Sequence, residues 1–139
     1  MPIIDHKNLK IVVSIALIND EDEVLLSKRP EKKHLSGFWE FPGGKVKKDE
    51  SDKNCLEREL TEELGIKTIT GKIFSEVNFE YPNFKIHLLA YYSIIVEGAP
   101  KNLEHLELKW VTISELNKYK FLEADIPIVQ ELITIHRPI

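Results

Sequence analysis

Cysteine is all but missing from this chain. The single Cys55 cannot close an internal disulfide, and no Cys-x-x-Cys pair or Cys/His spacing offers a zinc site. Long apolar runs are missing too. The longest, IVVSIALI at 11–18, is far too short to cross a bilayer, so no membrane association is expected. There is no basic excess. Nineteen Lys and Arg stand against 23 Asp and Glu, a formal net charge of −4, which argues against a stable nucleic-acid complex. Repeats, low-complexity tracts and Pro/Gly/Ser-rich linkers are absent. The opening MPIIDHKNLK lacks the basic, apolar and small-residue order of a secretory signal. Together with the reducing surroundings that a lone thiol implies, this makes a cytoplasmic protein the expectation.

What is present describes one domain over residues 1–139, long enough for a single hydrophobic core. Apolar residues make up 42% and charged residues 30%, the balance of a globular chain and not of a disordered one. LKIVVSIALI (9–18) is β-branched and predicts a buried strand, NDEDE (19–23) a polar turn, and VLLSKR (24–29) the returning strand. FWEF (38–41) reads as short and extended, ending at Pro42 and the Gly43–Gly44 pair. Residues 67–81, 84–97 and 106–113 are strand-like. Two helices are expected. One spans 51–64, with Leu56, Leu60 and Leu64 in a stripe, Ser51 or Asp52 as N-cap and Gly65 at the C-terminal cap. The other spans about 125–136, with Ile128, Val129, Leu132 and Ile133 on one face. Strands outnumber helices, which implies an α/β fold with a mixed sheet covered by helices.

The first helix is crowded with carboxylates. Glu59, Glu62 and Glu63 share a side away from the leucine stripe. An exposed like-charge pair at this spacing costs about 0.2–0.5 kcal/mol, and an anion in the last turn opposes the helix dipole. Two readings follow from the residues: a solvated acidic face, or a site for a cation that the chain does not itself supply. Carboxylates without a nearby His or Cys cluster suit hard Mg²⁺, with Mn²⁺ as a substitute.

The spacing around the helix distinguishes these readings. Gly44, five residues, Glu50, seven residues and then RELTEELGI (58–66) reproduce G-x5-E-x7-R-E-U-x-E-E-x-G-U, where U is a bulky aliphatic, here Leu60 and Ile66. On this motif the chain resembles the Nudix hydrolases. SKRP (27–30), GFWEFPGGK (37–45), KW (109–110) and FLEADIP (121–127) make it most similar to the MutT-type nucleoside triphosphate pyrophosphohydrolases. The resemblance implies an α/β/α sandwich around a mixed sheet and Mg²⁺-dependent cleavage of a nucleotide.

The resemblance also implies roles. Glu59, Glu62 and Glu63 would hold the metal with the Gly44 carbonyl, and Glu59 is the first candidate for activating the attacking water. Glu50 and Arg58 would form an ion pair within the motif. Glu104, six residues before Trp110, would reach the metal or act as a base, or else serve as an ordinary loop carboxylate. His105 beside it is read as a plain loop histidine. Arg29 would contact phosphate, an arginine fork being suited to that task, or sit at a strand end. Phe41 and Tyr81 would pack on a base or belong to the core. Asp125 would read the base or cap the second helix. An ionised Asp only accepts hydrogen bonds, whereas the 8-oxoguanine specialist of this branch carries Asn there and a basic residue in place of Phe84.

The expected substrate is therefore a nucleoside triphosphate, oxidised or otherwise modified, or a cytosine nucleotide. It would yield monophosphate and pyrophosphate in nucleotide-pool sanitation. ADP-ribose or another nucleoside-diphosphate derivative is the alternative within the enzyme class, and a silent ligand-binding Nudix module lies outside it. A monomer is the expected assembly.

Overall fold

A computed structural model of the chain describes residues 7–14, 19, 21–30 and 36–136. Among these described residues, seven strands and two α-helices follow in the order β1 (Lys7–Ser14), β2 (Glu23–Lys28), β3 (Trp39–Glu40), β4 (Gly43–Lys45), α1 (Asp52–Leu64), β5 (Lys67–Tyr81), β6 (Phe84–Glu97), β7 (Glu107–Thr112) and α2 (Ile126–Ile135). Two 3-10 turns, Ile113–Lys118 and Glu123–Asp125, lead into α2. No helix of the described residues is long and apolar enough to cross a membrane.

The strands form two sheets. One is mixed, in the order β4-β1-β6-β5, with β1 parallel to β6 and antiparallel to β4. The other is antiparallel, in the order β3-β2-β7. This corrects the hairpin expected from β1 to β2. Strand β1 is flanked by β4 and β6, so β2 pairs instead with β3 and β7. Gly43 and Gly44, at which the extended FWEF segment ends, belong to β4 and lie opposite Val13 and Val12. The polar turn before β2 is built on Asn19, whose Oδ1 accepts from the N–H groups of Glu21 (2.9 Å) and Glu23 (3.2 Å).

Helices cover opposite faces, and the alternation of strand side chains shows how. In β2, Val24 and Leu26 join the cluster that holds Ile128, Val129 and Leu132 of α2; Leu25 between them joins the cluster of Leu56, Leu60 and Leu64 of α1. Buried on both sides, β2 reads as a continuous apolar run and not as an alternating one. The fold is an α/β/α sandwich. The three leucines of the α1 stripe are fully buried, and each such side chain contributes about 1.5–3 kcal/mol by leaving water.

Helix α1 begins and ends as its sequence dictates. Ser51 accepts from the Asn54 N–H at 3.1 Å, and Gly65 closes the helix at φ 67°, a conformation in which a Cβ would be strained. Two acidic residues outside the motif fasten it. Asp52 meets Lys10 at 2.6 Å and accepts from the Tyr91 hydroxyl at 2.8 Å. Glu57 accepts from the backbone N–H and the hydroxyl of Thr70 on the sheet-edge strand β5.

Candidate active site

The carboxylates of α1 separate into distinct environments. Arg58 grips Glu50 with Nε (2.7 Å) and Nη2 (3.0 Å), and its Nη1 reaches Glu59 at 2.9 Å and Glu62 at 3.2 Å. This fork holds the loop before the helix onto the helix itself. The Arg58 guanidinium and the Lys47 N–H lower the Glu50 carboxyl to about 2. Glu62 keeps a half-exposed side chain on the Arg58 side. Glu59 lies directly under Gly44, where an added Cβ would run into its carboxyl carbon. Cys55 is buried beside the same turn, its Sγ 3.3 Å from the Lys45 carbonyl, and burial pushes the thiol up to about 12, an inert packing group.

Glu63 occupies the most unusual position. It is 4% exposed, and its Oε2 is buried with no hydrogen-bond donor among the described residues. Burial, then a hydrogen bond to Glu59 and the charges of Glu59, Glu40 and Glu104, hold its carboxyl far above the ordinary carboxylate range. A polar group buried in this way costs free energy unless something satisfies it.

The segment between β6 and β7 closes over this end of α1. The Lys101 N–H bonds the Leu64 carbonyl at 2.8 Å and the Leu103 N–H bonds the Glu63 carbonyl at 3.3 Å, satisfying acceptors that a helix C-terminus leaves open. The Leu106 N–H continues to the Lys28 carbonyl at 3.1 Å. Glu104 is thereby carried close enough for its charge to act on Glu63. His105 is not a plain loop histidine: its Nε2 lies 3.0 Å from Glu63 Oε1, with both side chains buried.

A second cluster forms around Asp125. Arg29 Nη1 meets Glu40 Oε2 at 2.9 Å. Asp125 is 4% exposed, and its side chain makes no capping bond to α2, so the capping alternative does not describe it. Burial and the charge of Glu40 push its carboxyl well above the usual range, opposed by Arg29. The Tyr81 phenol, raised by burial, feels Asp125, Glu123 and Arg29, which places it in the same cluster. Phe41 is 2% exposed and stacks on Phe121 at 5.5 Å inside the core cluster against which Tyr81 also packs.

Glu40 was not singled out in the sequence, yet its charge acts on both Glu63 and Asp125 and so joins the two clusters. Alternation gives the only sequence signal for it, because Trp39 and Phe41 are core residues and the residue between them must face the other way. His105 carries no periodic signal at all.

Among the described residues no three Asp, Glu, His or Cys side chains stand together in ligating geometry. The donor chemistry nevertheless fits a hard divalent cation. Glu59 and Glu63 are adjoining carboxyls, one with a buried unsatisfied oxygen, beneath a glycine backbone that approaches as closely as its missing side chain allows.

The NUDIX domain model matches residues 13–131. The chain is 36% identical over 125 residues to the CTP pyrophosphohydrolase of Escherichia coli K12, covering 90% of this chain and 93% of that protein. To the 8-oxo-dGTP diphosphatase of the same organism it is 31% identical over 126 residues, covering 91% and 97%. The solution structure of the E. coli ORF135 protein superposes with a TM-score of 0.81 at 33% identity, covering 99% of this chain and 96% of that one. With the motif intact, Glu59 lying under Gly44 and this likeness over nearly the whole chain, the protein belongs to the Nudix family of hydrolases, whose members work with a divalent metal.

Proposed function

We propose that the chain hydrolyses nucleoside triphosphates between the α and β phosphorus atoms, releasing a nucleoside monophosphate and pyrophosphate. The preferred substrates are cytosine nucleotides or oxidised, 8-oxo-dGTP-like ones, the classes named for its two relatives. The observation that carries this reading is the buried, unsatisfied Glu63 carboxyl interacting with Glu59, which lies under Gly44, with Glu40 acting on both Glu63 and Asp125.

Glu59, Glu62 and Glu63, with the Gly44 carbonyl, would hold the cation, and Glu104 stands beside them. Bound there, Mg²⁺, or Mn²⁺ in its place, supplies positive charge against the phosphates and acidifies water. Glu59 takes the proton from the attacking water, with Glu62 and Glu104 as the alternative carboxylates for that role. Arg58, fixed on Glu50, keeps Glu59 and Glu62 in place. Arg29, held on Glu40, is the phosphate-contacting cation at the edge of the base cluster. Asp125 and Tyr81 contact the base, with Phe41 packed behind them.

The state of Asp125 bears on the choice of base. Burial pushes its carboxyl toward the neutral form, and a neutral carboxyl donates as well as accepts. It then offers the same paired donor and acceptor as an asparagine, so aspartate at this position is compatible with an oxidised purine as well as with cytosine.

The test is release of nucleoside monophosphate, read chromatographically together with pyrophosphate from the triphosphates, over a panel of CTP, dCTP, 8-oxo-dGTP, dGTP and ADP-ribose, each with Mg²⁺ and with Mn²⁺. Preferential release from the cytosine or oxidised nucleotides is expected. Hydrolysis of ADP-ribose alone, or of nothing in the panel, would overturn the assignment.

A further inference from the structure

We propose that His105 is a positioning residue that fixes the Glu63 carboxylate for the divalent cation. The proposal rests on the reading of Glu63 as a cation ligand and adds a residue outside the Nudix motif to that site. Its basis is geometric. His105 Nε2 stands 3.0 Å from Glu63 Oε1, and the two side chains are only 6% and 5% exposed, so water does not compete for the contact. Glu63 lies in the last turn of α1, which contains no basic residue, and its other oxygen has no donor among the described residues. The imidazole Nε2 is thus the one basic side-chain partner that the described residues bring to Glu63 Oε1, and as an N–H it would donate to the carboxylate. Holding Oε1, it restrains the torsions of a flexible side chain and leaves Oε2, which has no partner among the described residues, for the cation.

The ring is itself held. Its backbone N–H bonds Asn102 Oδ1 at 2.9 Å, and the flanking segment is tied to the end of α1 through Lys101 and Leu103. Fixing the segment to the same helix end that carries Glu63 keeps donor and acceptor in register. Groups that bond a metal ligand from behind in this manner change metal affinity by about 10- to 100-fold when removed.

The experiment is titration of the full-length chain with Mn²⁺ in the absence of nucleotide, read by electron paramagnetic resonance of the free ion. It compares wild type, His105→Leu and His105→Gln, with thermal melts establishing that each is folded. Leu fills the space without a donor; Gln restores an N–H at similar reach. The expected result is a loss of about 10- to 100-fold in Mn²⁺ affinity for the Leu variant and recovery to within a few-fold for Gln. Should the Leu variant not fold, His105→Asn, which shortens the reach of the donor, takes its place with the same expected loss. Wild-type affinity in the donorless or shortened variant would overturn the proposal. So would a folded Gln variant as weak as the Leu one, because the hydrogen bond would then not be what matters. Absence of Mn²⁺ binding to wild type would overturn the cation reading of Glu63 itself, and the positioning role with it.

Discussion

The two halves of the candidate site are assembled in opposite ways. The acidic end of α1 draws Glu59, Glu62, Glu63 and Arg58 from two turns of one helix, with Glu50 and Gly44 a short loop away. The Asp125 cluster draws Arg29 from the end of β2, Glu40 from β3, Tyr81 from the end of β5 and Asp125 from the entry to α2. The first half is local and its chemistry is charge. The second is assembled by tertiary packing, and its chemistry is the state of a buried carboxyl. Metal and phosphate handling can therefore be kept constant within a family while base choice changes through distant residues.

The largest effect should come from the local half. Glu59→Gln removes a proton acceptor but keeps the volume, so turnover should fall roughly 10²- to 10⁴-fold while the melting temperature hardly moves. Near-normal pyrophosphate release would show that the local half does not hold the base. Gly44→Ala should act next most strongly. Its Cβ would meet the end of the Glu59 side chain, which can swing away at little cost to the fold. Activity should thus drop about tenfold or more, as expected for a misplaced reacting group, with folding stability from denaturant titration nearly unchanged. A large loss of stability instead would make Gly44 a packing residue.

The smallest effect belongs to the other half, and it separates the two by pH. The folded-state carboxyl of Asp125 is raised above its unfolded value, so its stabilising contribution is complete below the unfolded range near 3.8 and is lost as pH rises through the folded value. Asp125→Asn removes that loss. The variant should be more stable than wild type at neutral pH, with the difference vanishing at low pH in paired denaturation curves. It should also preserve the ranking of bases, whereas Asp125→Ala should scramble it. Equal stability at every pH would mean that Asp125 is ionised without cost.

The legible part of the molecule was the part written in short spacings. Helix α1, its Ser51 and Gly65 ends, its leucine stripe and the motif on its other side are relations between residues a few positions apart. The spans of β5 and β6 were equally plain as strand-like segments, and the structure pairs them antiparallel as neighbours in sequence. The pairing of β2 was not, because its partner β7 lies some eighty residues away and no local pattern selects it over β1. Glu40 and His105 escaped for the same reason. A lone polar residue between aromatics or beside a carboxylate has no period, and its partner is determined by another element.

Spacing alone was enough to establish a helix with a buried stripe, an acidic face and a glycine pair at the distance a Nudix motif requires. Backbone geometry repeats every few residues, so such a face is a property of spacing alone. Only the tertiary structure decided that Glu63 would be buried against His105, that Glu104 would be brought beside it and that Glu40 would connect it to Asp125. Those contacts depend on sheet register and on a segment docked to the end of α1. Burial, which changes what a carboxyl can do, exists only once the chain has closed around it.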